Sequence, residues 1–209
     1  MVMQLAYYLT HGQSCGTYEA AQVRKYALGR TETVRVCTNE SVAFCKSMTD
    51  SSISPEDRKA LFTKAVKKHG QDMRNASNAH GIDRHLYGLK KCLKSGEDMP
   101  IVFTDDLYKR SSTWTMSTSQ IYIRESPSYG WGMVTPDGYG FPYMIRTRSF
   151  RRHAAMRYLH STTDPESLQF TVTCRAGTPG DKMVANLRKA ADMLIDLMAT
   201  ESKDKQGKL

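Results

Sequence analysis

Apolar residues change their spacing along this chain, and that change restricts the fold class more than any single motif does. Leu61, Phe62, Ala65 and Val66, and again Ile82, Leu86, Leu89 and Leu93, recur at helical spacing, each set forming the stripe of an amphipathic helix. Met183, Leu187, Ala190, Leu194 and Leu197 repeat that spacing near the end. Elsewhere the period is two. Thr31, Thr33 and Arg35 alternate with Glu32, Val34 and Val36, as the two faces of a strand do. Residues 17–36 read as two extended segments joined around Leu28-Gly29, with a helix over 18–28 as the alternative. Residues 101–104, 112–123 and 167–174 read as further strands. Residues 129–134 and 139–145 flank Pro136-Asp137-Gly138 and predict a hairpin. Helices are predicted over 1–10 and 39–48. Others start at Ser54-Pro55-Glu56-Asp57 and at Thr178-Pro179-Gly180-Asp181, where small capping residues, proline and acids stand as a first turn prefers, and a further helix runs from about Asp83 until Met99-Pro100 closes it. Strands and helices mix without strict alternation. The expected class is therefore α/β (α+β), a mixed sheet flanked by helices over residues 1–200, followed by a charged tail without fixed structure over 201–209.

Composition sets limits on function. No apolar run approaches the roughly 18 residues of a membrane span, and Met1–Leu9 lacks the basic region of a signal peptide. Five cysteines, widely spaced and without a CxxC pair, argue against a zinc site or a disulfide scaffold and for a reducing compartment. The formal charge of +9 suits an anionic partner or a solvated basic surface. The basic residues are scattered in pairs such as Lys67-Lys68, Lys90-Lys91 and Arg151-Arg152, so a nucleic-acid binder rests on charge alone. None of the six histidines lies in a GxSxG, HExxH or HxE…CxxC setting, and neither a P-loop nor a GxGxxG is present. From spacing alone no active site can be assembled, and no metal site is expected.

The hydroxyl run Ser117-Thr118-Ser119 stands in a predicted strand, where Ser117 and Ser119 share a face about 7 Å apart. Such a face either lines a polar cleft, with donors for an oxyanion or a carboxylate, or is simply solvated.

Four strings taken together resemble one family. "TYEAAQVRKYALGRTETVR" (17–35), "GIDRHLYGLK" (81–90), "MSTSQ" (116–120) and "PDGYG" (136–140) follow the order and nearly the spacing of the choline/carnitine O-acyltransferases, and compatible sequence runs from near Met1 to about Leu197. The resemblance implies one half of a two-domain architecture, with the active site in a tunnel between halves. It implies transfer of an acyl group between coenzyme A and a quaternary-ammonium alcohol, with a histidine as general base. By motif, Tyr18, Thr31 and Arg84 are similar to the residues that hold the carnitine carboxylate, and Thr31 with Arg84 is similar to carnitine-using rather than choline-using members. Ser119 matches the oxyanion donor, and Ser117 a residue near the trimethylammonium. Trp131 matches an aromatic beside the same group, and Gln120 a coenzyme A contact.

The sequence also departs from the family pattern. The resemblance places the catalytic histidine, and the lysines that grip coenzyme A, in the half preceding this chain. Ala20 stands where many members have a serine, and Gly70 where an arginine contacts coenzyme A. Tyr129, a bulky residue in the region that sets acyl length, implies short acyl groups. The expectation is thus the carnitine-holding, C-terminal portion of a short-chain (acetyl) carnitine O-acyltransferase. Its partners would be carnitine, acyl-CoA as co-substrate and the complementary half, with no tightly bound cofactor and no nucleic acid. The alternative is a truncated, non-catalytic product or an interaction module of the same fold. Gly207-Lys208-Leu209 is loosely similar to the Ser-Lys-Leu peroxisomal address, and the expected location is mitochondrial or peroxisomal.

Overall fold

The computed structural model describes residues 1–121, 129–146 and 167–206. Its centre is one mixed five-stranded sheet in the order β2-β1-β3-β4-β5. The strands are β1 Thr17–Gln22, β2 Thr31–Arg35, β3 Met116–Gln120, β4 Tyr139–Arg146 and β5 Ser167–Phe170. The two outer pairs are antiparallel, whereas β3 runs parallel to both β1 and β4. The parallel pairings follow from the long connections into β3 and β4, since only antiparallel neighbours can be joined by a tight turn.

Helices α1 Val2–His11, α2 Asn39–Ser47, α3 Pro55–Ser77 and α7 Gly180–Gln206 cover one face of the sheet. Their inward residues are those the spacing predicts. Met183, Leu187, Ala190, Leu194 and Leu197 of α7 pack with Leu5, Ala6 and Phe44 against Met116, Tyr139 and Phe141 of the strands. A smaller cluster joins Ala21, Val34 and Val36 to Ala76 of α3. The helix starts are locally encoded. Thr38 and Ser41 form a reciprocal capping box on α2, and Ser54 accepts the Asp57 N–H (3.1 Å) at the start of α3.

Several expectations are corrected. Residues 101–104 form a helical turn, α5 Ile101–Thr104, and Asp105 then caps a further helix, α6 Asp106–Ser111, that the spacing does not reveal. Four residues are too few for periodicity to separate a strand from a turn of helix, and the Asp105 N–H bonds to the Ile101 carbonyl (3.0 Å). Residues 129–134 are not a strand, so no hairpin forms at Pro136-Asp137-Gly138; that turn instead delivers β4 parallel to β3. The helix from Asp83 ends at Lys91 rather than at Met99-Pro100, and the apolar stripe of this α4 Asp83–Lys91 meets no core: Ile82 and Leu89 are exposed, and α4 buries no residue. Lastly, α7 continues to Gln206, into the segment expected to lack structure. Residues 122–123 of the strand predicted over 112–123, and Gly207-Lys208-Leu209, lie outside the described residues.

Candidate functional site

β3 lies between two parallel neighbours, and its alternation decides which hydroxyls meet solvent. Met116 and Thr118 are buried toward the helices, while Ser117 and Ser119 are half-buried on the opposite face. Residues paired across a sheet share a face. Ser117 is opposite Tyr18 and Gly140, Ser119 is opposite Pro142, and Tyr18 is opposite Arg35, so the face away from the main core carries Tyr18, Arg35, Ser117 and Ser119 together. Ala20 stands on that face opposite Thr33, and Gln120 is exposed at the end of β3.

Residues 129–132 cross the same face. The Trp131 indole N–H donates to the Ser117 carbonyl (3.3 Å). The Tyr129 hydroxyl accepts the Ile121 N–H (2.7 Å) and stands 2.7 Å from the Tyr143 carbonyl and 3.1 Å from that of Ser119. The two rings lie 5.7 Å apart. Gly140 admits this crossing: a Cβ there would stand 2.8 Å from the Trp131 carbonyl oxygen and 2.9 Å from that of Gly132. Thus the glycine of "PDGYG" that pairs with Ser117 also sets how closely Trp131 approaches it.

Arg84 and Thr31, 53 residues apart, meet at the far end of β2. The Arg84 Nε donates to the Thr31 carbonyl (3.2 Å), and its Nη2 lies 3.5 Å from Thr31 Oγ1. The guanidinium is otherwise exposed, and among the described residues it makes no ion pair. At the other end of β2, Arg35 forms a two-point ion pair with Asp83 (3.1 and 2.8 Å) and donates to the Ser111 carbonyl (2.7 Å). Arg35 also lies over the Trp114 ring (5.1 Å), whose edge meets Tyr18 (5.9 Å). An open cavity of about 670 Å³ adjoins it, lined in part by Cys15, Cys37 and Arg110. Behind the serines, on the helix side, Glu19 is buried; it accepts hydrogen bonds from the hydroxyls of Thr118 and Tyr143, and desolvation raises its pKa.

Among the described residues no cluster of His, Cys, Asp or Glu could hold a metal ion. His11 is engaged elsewhere, with Nε2 3.0 Å from the Tyr139 hydroxyl and its ring stacked on Tyr7; burial, with Lys182 nearby, lowers its pKa. Cys15 is equally unsuited to nucleophilic work, since burial pushes its pKa up to about 12.

The family description Choline/Carnitine o-acyltransferase matches residues 1–174. This chain belongs to that family. In Saccharomyces cerevisiae, the protein named carnitine O-acetyltransferase, mitochondrial, is 33% identical over 205 residues, covering 98% of this chain and 28% of that protein. The Homo sapiens carnitine O-acetyltransferase is 41% identical over 146 residues, or 68% of this chain and 23% of its own length. The Bos taurus peroxisomal carnitine O-octanoyltransferase is 41% identical over 158 residues, or 72% and 25%. The chain thus spans about a quarter of the length of the curated relatives it matches.

In this choline/carnitine O-acyltransferase chain, Tyr18, Ser117, Ser119 and Trp131 share one sheet face, and Thr31 with Arg84 forms a pair at its β2 end. Gln120 is placed beside Ser119 by sequence and is exposed at the end of β3. Arg35, Glu32 and Glu19 are the structural partners that sequence reasoning missed. Alternation puts Arg35 on the Thr31 face, which was the available signal; nothing in the sequence indicates Asp83 or Ser111 as its partners.

Proposed function

We propose that this chain is the carnitine-holding portion of a carnitine O-acyltransferase, which moves an acyl group between coenzyme A and the carnitine hydroxyl. The observation that carries the reading is Arg84 beside Thr31, with no carboxylate among the described residues paired to its guanidinium. A guanidinium next to a threonine hydroxyl suits the carboxylate that carnitine has and choline lacks. Tyr18 would add a hydroxyl donor to that carboxylate. The trimethylammonium would lie against Trp131 and Ser117, where an aromatic face attracts a cation. Ser119 would donate to the oxyanion formed when the carnitine oxygen attacks the thioester carbonyl, and Gln120 would contact coenzyme A. The carnitine proton would pass to a histidine of the complementary half, and coenzyme A would leave as its thiol.

Tyr129 supports a short acyl group, acetyl, because its hydroxyl is tied to backbone of Ser119, Ile121 and Tyr143 and its ring cannot easily swing away. A mitochondrial or peroxisomal location is proposed by analogy with the names of the relatives.

The test is complementation. The chain, combined with the remaining part of a related carnitine O-acetyltransferase, should release thiol from acetyl-CoA when carnitine is added. Ser119→Ala should slow that release about 10²- to 10³-fold, the usual cost of one oxyanion donor. No release from acetyl-CoA or octanoyl-CoA, with a folded complex, would leave a non-catalytic module of this fold.

A further inference from the structure

We infer that Glu32 is the positioning residue for Arg84. Its carboxylate, rather than hydrophobic packing, fixes where that guanidinium stands. The consequence for carnitine rests on the reading of Arg84 given above; the positioning itself does not.

The helix that carries Arg84 is tied to the sheet by polar contacts: the Arg35–Asp83 ion pair at its first residue, and Glu32 at its second. α4 buries no residue, and its first turn receives no side-chain cap from Ile82 at the N-cap position. The cap comes instead from another element. Glu32 of β2 is only 4% exposed, and its Oε1 accepts the backbone N–H of Arg84 (3.3 Å) and of Thr33 (2.6 Å). A carboxylate at this place satisfies an amide that the helix leaves unpaired, and it complements the positive end of the helix dipole.

Gly81 makes room for it. A Cβ at position 81 would stand 2.3 Å from Cγ, 2.5 Å from Cδ and 2.8 Å from Oε2 of Glu32, so the carboxylate occupies the space that any other residue would fill. The Arg84 side chain then returns to the neighbouring Thr31 through Nε and Nη2. Residues 31 and 32 therefore grip one arginine at both its side chain and its backbone. The Glu32 carboxylate is engaged by amides, which leaves the guanidinium charge available to a ligand.

The test compares Glu32→Ala, Glu32→Gln and Gly81→Ala by amide hydrogen exchange and by ligand titration of the intact chain. Loss of a helix cap predicts exchange at residues 83–86 faster by about fivefold to tenfold in Glu32→Ala. Gly81→Ala, which alters no polar group, should match it by displacing the carboxylate. Glu32→Gln keeps an acceptor in place and should restore slow exchange. Carnitine affinity should fall in the first two variants and recover in the third. Affinity for choline, which shares the ammonium and lacks the carboxylate, should not change. Unchanged exchange in Glu32→Ala overturns the inference, and so does an equal loss of affinity for carnitine and choline. Should Glu32→Ala fail to fold, Glu32→Asp, which withdraws the charge by one methylene, takes its place. If the unsubstituted chain binds no carnitine, the proposed function fails, and the exchange comparison alone decides the role of Glu32.

Discussion

Glu19 occupies the helix-covered face of β1, where its carboxylate meets the hydroxyls of Thr118 and Tyr143 directly behind the two serines. Burial raises its pKa from the ordinary 4.5, and the hydrogen bonds only partly oppose that. A carboxyl whose folded value lies above its unfolded value adds stability that is complete below pH 4.5 and is lost as pH rises through the folded value. Glu19→Gln does not titrate. Its stability relative to the parent should therefore improve as pH rises, by about 1.4 kcal/mol for each pH unit by which the folded value exceeds the unfolded one. Urea melts of both proteins at pH 4.5 and 7.5 measure this; a constant difference would refute it. Tyr143, raised by burial and by Glu19, stays protonated throughout and keeps its donor. At this scale the sequence was partly legible. Thr31 and Arg84 could be paired through family strings, and Ser117 with Ser119 through alternation. Glu19, Glu32 and Arg35 could not, because their partners Thr118, Arg84 and Asp83 lie 99, 52 and 48 residues away and local spacing carries no trace of them.

Helix starts marked by a local chemical signal were read correctly, whereas the stop signal Met99-Pro100 misplaced the end of α4, and the pairing of the strands, which depends on distant partners, was not legible. Ser54-Pro55 marks the start of α3 by itself, and Ser54 does accept the Asp57 N–H. Thr38→Ala should cost about 1 kcal/mol in thermal unfolding, since one orphan amide of α2 loses its acceptor. By contrast, residues 129–134 have strand-like composition but give their hydrogen bonds to β3 and β4 through side chains. Turn residues at 136–138 are compatible with either outcome; the choice of a parallel β4 lies in the long-range pairing of Met116 to Tyr139 onward. Gly140→Ala should cost about 1–3 kcal/mol, as overpacking does, because a methyl there meets backbone oxygens of Trp131 and Gly132. Its effect would extend to the Trp131 ring, so tryptophan fluorescence should shift with it. A variant that melts like the parent with unchanged emission would show that the crossing strand yields freely.

Across the described residues, one face of the sheet is sealed by helices and the other carries the polar site. On the sealed face, Leu187 is buried in the main core, where α7 packs on α1, and Leu187→Ala should cost about 2–5 kcal/mol in denaturant unfolding. The region from α4 to α6 behaves differently. Ile101 is 84% exposed and Leu107 74%, so Ile101→Lys and Leu107→Lys should each leave the stability of this chain within about 0.5 kcal/mol. A larger loss would reveal contacts for these side chains that the fold does not contain. That region also begins and ends at one side chain. Arg35 holds Asp83 where α4 starts and the Ser111 carbonyl where α6 ends, so the intervening stretch leaves the sheet and returns to nearly the same point. Lengthening a loop whose ends are already joined raises the entropy of closure only logarithmically, about 0.6 kcal/mol per doubling. The exposed turn at residues 94–97 is therefore a natural port for grafting foreign sequence, since an insert there would extend into solvent while a single guanidinium kept its two stems in place.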